Sequence, residues 1–201
     1  MYKLLLTCLL LFSGKALFAQ MENEPATDSE RYIFLQGFSI SSIGESTDHW
    51  QSFKQTWKSA TGFNIGYMKI FPSDWAIVYQ TGYFNFKQND NADFKADPTY
   101  WVVPLAIGGR YYIVRSGFQP FLMAMTGFNI IQEDYTLDEK ITNRTSVRLH
   151  FQVGAGIGFQ LTGNLGIELN GKYNSHVLEA NIPYNMTGLE YGLALNWRLG
   201  T

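Results

Sequence analysis

The chain has 201 residues, with 15 lysines and arginines against 17 aspartates and glutamates, 16% aromatic residues, 19 glycines and one cysteine. A formal charge of −2 with no basic stripe interleaved with aromatics argues against a nucleic-acid partner. Cys8 stands alone, so disulfides and thiolate metal sites within the chain are excluded.

Residues 1–19 read as a secretory signal peptide: Lys3 is the positive n-region, Leu4 to Phe12 the apolar stretch, and Ala16-Leu17-Phe18-Ala19 a cleavage site before Gln20. Its removal takes Lys3 and Lys15 but no acid, moving the net charge from −2 to about −4. Residues 20–30 are polar, contain Pro25 and four acids, and read as a flexible periplasmic leader. The remaining residues, 31–201, form one domain, and none of its apolar runs has the length of a membrane helix.

Strand-like segments follow near 31–43, 61–71, 75–87, 99–113, 119–131, 145–161, 165–176 and 188–200. The clearest runs from Ser146 to Leu161. Val147, Leu149, Phe151, Val153, Ala155, Ile157, Phe159 and Leu161 make one face; Arg148, His150, Gln152 and three glycines lie on the other. A tilted strand crosses the hydrocarbon in about 9–11 residues, so this segment is long enough to span a bilayer. Connections alternate in length. Pro72-Ser73-Asp74, Val114 to Phe118 and Thr162-Gly163-Asn164 are tight, whereas Gly44 to Ala60, Gln88 to Pro98, Gln132 to Arg144 and Val177 to Thr187 are long and polar. Short turns at one end and long loops at the other are the rhythm of an outer-membrane barrel, with the short turns in the periplasm. The expected fold is all-β, an eight-stranded antiparallel up-and-down transmembrane β-barrel.

Composition orients the faces. Glycines and compact polar groups suit a lumen too narrow for anything but side chains; Leu165, Ile167, Leu169, Leu193, Leu195 and Leu199 suit lipid. Phe71, Trp75, Tyr111, Phe159 and Trp197 are expected in a periplasmic aromatic girdle, and Tyr83, Trp101 and Tyr173 in an outer one. The first strand reads poorly, since Tyr32, Phe34, Phe38 and Ile40 suit lipid while Ile33 and Leu35 lie opposite. Pro104, inside the fourth strand, calls for a bulge. A soluble lipocalin-like barrel, its bulky face turned inward around a ligand, is the competing architecture.

The expected lumen network comprises Arg110, Arg148, Glu168, Lys172, Glu190 and Arg198, with Glu168 meeting Arg198, because an unpaired buried ion is costly. Turn pairing across 162–164 sets His150 beside His176. Two histidines are a candidate metal or pH site, but no third ligand follows, and the plainer reading is two polar lumen residues near solvent. No cofactor is implied. Trp50, Phe53 and Trp57, spaced as one helix face in the loop from Gly44 to Ala60, are candidate binding residues, or a cap on the barrel mouth.

Tyr100-Trp101-Val102-Val103-Pro104-Leu105 and Gln119-Pro120-Phe121 resemble strand starts of the small outer-membrane β-barrels of Gram-negative bacteria, the PorT-like group in particular. Glu190-Tyr191-Gly192-Leu193-Ala194-Leu195-Asn196-Trp197 resembles the final-strand signal read by barrel-assembly machinery, although the chain runs on to Thr201 where many members end on an aromatic. The resemblance implies placement in the cell outer membrane, contact with outer-membrane lipid and lipopolysaccharide, and an envelope assembly or secretion role as one option. His176 sits where outer-membrane lipid A deacylases carry a catalytic histidine, yet Leu178 stands where they have serine. The expected function is therefore not catalytic but structural or interactive, through loops that contact a surface or envelope partner.

Overall fold

A computed structural model describes residues 29–42, 57–88, 99–137, 140–176 and 188–200. They form β1 (Glu30–Ser42), β2 (Trp57–Ile70), β3 (Trp75–Gln88), β4 (Thr99–Tyr112), β5 (Phe118–Leu137), β6 (Lys140–Gln160), β7 (Leu165–His176) and β8 (Gly188–Leu199). Each strand pairs antiparallel with the next, and β8 returns to β1 with Leu199 opposite Arg31, closing the barrel. Closure leaves no sheet edge within the membrane, where an unpaired backbone group would cost several kcal/mol.

The period-two pattern fixes the register. Phe159 pairs with Ile167 and Gly158 with Glu168 across the β6–β7 turn, the first pair pointing outward and the second inward. Outward positions are apolar all round the barrel: Leu35, Ile65, Leu105, Leu122, Phe128, Val153, Leu169 and Leu195 are all exposed. Water would penalise such a surface and hydrocarbon welcomes it, which overturns the soluble lipocalin-like alternative. At the short-turn end Trp75 packs 4.9 Å from Tyr111 and Phe118 5.4 Å from Phe159; toward the other end Tyr83 lies 6.1 Å from Trp101.

Several expectations are corrected. In β1, Tyr32, Phe34, Phe38 and Ile40 face the lumen, while Ile33 and Leu35 face lipid. Both faces of this strand are apolar, so its own composition does not orient it; closure against β2 and β8 does. Pro104 causes no bulge. It stays in register opposite Asn129 on β5, and toward β3 the ladder skips Val103 and Pro104 between Leu105–Thr81 and Val102–Phe84. The missing N–H removes a bond without shifting the strand. Glu30, placed in the leader, begins β1.

A further correction concerns the outer end. Residues 132–137 and 140–144 are not a long loop but the continuation of a hairpin in which Leu137 pairs with Lys140. β5 has 20 residues and β6 has 21, against 12 to 14 in the others. At about 3.3 Å per residue these strands reach roughly 65–70 Å, whereas a strand tilted about 40° crosses an apolar band of about 25 Å in roughly 33 Å. The hairpin thus projects well beyond the other described strands. Trp57, placed in the loop from Gly44 to Ala60, belongs to β2; Trp50 and Phe53 lie outside the described residues.

Candidate functional site

The lumen is filled, and its two halves differ in chemistry. Strands β1 to β5 supply its apolar clusters, with Gln36, Asn64 and Gln80 set among them. Toward the outer mouth Phe38 meets Phe84 at 5.7 Å, Phe84 meets Phe86 at 5.7 Å, and Phe86 meets Tyr100 at 5.3 Å, edge to face. Such pairs add about 0.5–1.5 kcal/mol beyond their area. Lower down, Tyr32, Phe34, Met68, Val78, Tyr112 and Phe121 form a second cluster. Inward glycines make this possible. A Cβ at Gly66 would strike the Phe34 ring, one at Gly156 the Phe121 ring, and one at Gly192 the Gln36 amide.

Strands β4 to β8 carry the polar half, arranged in tiers. Arg110 on β4 donates to Glu168 on β7 at 2.6 Å, with both side chains buried. The guanidinium also donates to the Tyr112 hydroxyl at 3.1 Å and stacks 4.0 Å from the centre of the Phe121 ring. The aromatic face and the carboxylate together replace the water that the ion lost.

One tier higher, Lys172 and Glu190 are direct cross-strand partners whose charged atoms are 2.7 Å apart. Glu190 also accepts from Asn174 at 3.0 Å and from Gln36 at 3.3 Å. Gln36 completes the tier, donating to Asn170 at 2.9 Å while its oxygen accepts from Lys172 at 3.3 Å and Asn64 at 3.4 Å. Gln80 reaches across the lumen to donate to Gln152 at 3.3 Å. At the outer mouth fully buried Glu133 takes Arg144, and Arg148 approaches it at 3.8 Å. Every buried charge in these tiers faces an opposite one, the arrangement a low-dielectric interior demands.

Arg198 is not part of this lumen network. It pairs at 3.3 Å with Glu30, which also takes Arg115 at 3.1 Å and the Tyr32 hydroxyl at 2.8 Å, and its side chain keeps a third of its exposure at the short-turn rim. The expected Glu168–Arg198 contact fails on register. Glu168 faces Ala194, whereas the Arg198 amide bonds the Asn164 carbonyl, about 13 Å further along the strand.

The backbone register sets His150 opposite His176, and the His150 ring is buried in the lumen. No group of three metal-ligating side chains occurs among the described residues. Sequence reasoning did not single out Gln36, Glu133, Tyr112, Phe121 or Arg115. A signal existed for Gln36, the one polar residue among the even-numbered positions 32–40 of β1. For Glu133 it was the opposite charge of Arg144 across a two-residue hairpin connection.

Comparison with known proteins agrees with this geometry. A family model described as the outer membrane protein beta-barrel domain matches residues 5–198. No curated protein matches the chain. Among solved structures, the chain is similar to OprG from Pseudomonas aeruginosa, with TM-score 0.60 and 13% identity over 89% of this chain and 100% of that one. It is also similar to Neisserial surface protein A, with TM-score 0.53 and 16% identity over 85% and 97% of the two chains. A third is the attachment invasion locus protein Ail of Yersinia pestis, with TM-score 0.50 and 15% identity over 85% and 97%. At these identities the likeness is one of fold, while the family match spans nearly the whole sequence. The chain belongs to the outer-membrane protein β-barrel domain family, a group of small barrels of the outer membrane.

Proposed function

We infer that this barrel acts at the cell surface, through the β5–β6 hairpin and the outer connections beside it, and that its lumen is a structural plug and not a path. The observation that carries this reading is the length of β5 and β6 beyond the membrane band, while the other strands end near its edge among the described residues. A strand extended into water loses the support of lipid on its outer face. Here cross-strand partners replace that support, with Glu133 meeting Arg144 and Gln132 meeting Thr145. On its far side β6 pairs with β7 only from His150 onward, so among the described residues no strand covers 140–149. Such an edge accepts an added strand from a partner. Two barrels of similar fold bear the names surface protein and attachment locus, which is consistent with a surface role here. Trp50, Phe53 and Trp57 remain candidate anchors for the same partner.

The test replaces Tyr135–Thr142 by Asn-Gly and, separately, Trp50, Phe53 and Trp57 by alanine in the full chain in cells. Each variant is then crosslinked on intact cells beside the wild type. Loss of a surface crosslink in the shortened hairpin, with outer-membrane fractionation unchanged, is expected. A crosslinking pattern identical to wild type in both variants would reject the surface reading. A changed lipid A mass spectrum in a deletion strain would favour lipid-modifying chemistry instead.

A further inference from the structure

On the outer surface at the short-turn end, Arg31 of β1 stands directly opposite Lys69 of β2. Both lie on the lipid-facing side, Arg31 exposed and Lys69 half-buried with its Nζ 5.1 Å from the centre of the Phe71 ring. Like charges facing each other across a strand pair repel. Among the described residues neither has a carboxylate partner. The adjacent acid, Glu30, serves Arg115, Arg198 and Tyr32. Their level along the barrel is set by the next outward row, where Ile33 lies between Trp197 and Tyr67, and Tyr67 is opposite Tyr79 with rings 6.5 Å apart. Aromatic rings of this kind mark the membrane–water interface. The two cations therefore sit within the aromatic girdle of the short-turn end, between the Ile33–Tyr67 row and Phe71, at the depth where lipid phosphates lie.

We propose that Arg31 and Lys69 form a binding site for the phosphodiester of an anionic phospholipid in the periplasmic leaflet. One phosphate between the two cations turns a repulsive pair into two attractive ones. The guanidinium offers a planar fork of donors and the ammonium a second charge. A net anionic headgroup is preferred over a zwitterionic one, whose own cation competes for the phosphate. The acyl chains then run up the apolar surface above the aromatic row. Lys87, also outward but at the opposite end of β3, lies far from this pair and serves as the control.

The test is native mass spectrometry of the folded full chain titrated with phosphatidylglycerol or phosphatidylcholine of matched acyl chains. The wild type and K87Q should retain phosphatidylglycerol at least fivefold better than phosphatidylcholine, and the double variant R31Q/K69Q should lose that preference. R31E guards against a folding defect: it replaces the repulsion by an ion pair, so it should fold fully, judged by the gel shift on boiling, and still lose the preference. An equal affinity of the wild type for the two lipids would overturn the site, as would a preference kept by R31E or by the double variant. Displacement of the lipid by millimolar inorganic phosphate would assign the pair to free phosphate and reject the lipid.

Discussion

Arg110 on β4 and Glu168 on β7 meet at 2.6 Å although β5 and β6 separate their strands in the sheet. The contact crosses the lumen and exists only because the barrel is closed and narrow. Truncating one partner leaves the other buried without its counter-charge, at a cost of about 3–5 kcal/mol. Arg110→Met and Glu168→Ala should each lower the unfolding free energy by that order in urea titrations from lipid vesicles. The double variant Arg110→Met/Glu168→Leu should recover most of the loss, because apolar pairs of similar volume substitute well for buried ions. Additive losses would show that the two residues act separately.

Arg198 should matter much less. Its partner Glu30 is shared with Arg115, and the cluster sits at the partly exposed rim. Arg198→Ala is expected to cost no more than about 1 kcal/mol, as for exposed pairs generally. A loss equal to that of Arg110→Met in the same titration would contradict the rim placement.

Glycine positions separate the two faces of the wall. A methyl group at Gly192 would strike the Gln36 amide and disturb the tier holding Asn170, Lys172 and Glu190, whereas one at Gly37 meets nothing within 4 Å. Gly192→Ala should therefore destabilise by about 1–3 kcal/mol through overpacking, and Gly37→Ala should be near neutral. Equal effects in parallel unfolding curves would mean that the inward wall at Gly192 yields easily.

How much of this was legible in the sequence varies with the strand. The β6–β7 hairpin could be read because its two faces differ sharply, and once its turn was placed, Gly158–Glu168 and His150–His176 followed by counting. β1 could not be read alone, since Tyr32, Ile33, Phe34 and Leu35 supply apolar groups to both sides. The outer half of β5 and β6 escaped for the converse reason. Beyond the membrane the apolar alternation ends, and Gln132, Glu133, Asp134 and Thr145 look like loop until their cross-strand partners are known. Within the lumen network, Lys172–Glu190 joins neighbouring strands and is a matter of register. Arg110–Glu168 depends on which strands face each other across the closed barrel, and local pattern carries no such information.

The hairpin extension should be dispensable for the fold. Asp134 is opposite Asn143, so the strands can be joined there by Asn-Gly in place of Tyr135–Thr142, a two-residue turn suited to right-handed strand twist. The change keeps Glu133, Arg144 and Arg148, and with them the buried charges at the outer mouth. It removes only backbone pairs beyond the described lumen contacts, and cross-strand pairs generally contribute no more than about 0.2–1 kcal/mol each, which the entropy of ordering the strands offsets. The shortened chain should show the same gel shift on boiling and a urea midpoint close to wild type. A large fall in the midpoint would mean that the extension braces the barrel mouth, and the hairpin's length would then reflect stability before any contact made at the surface.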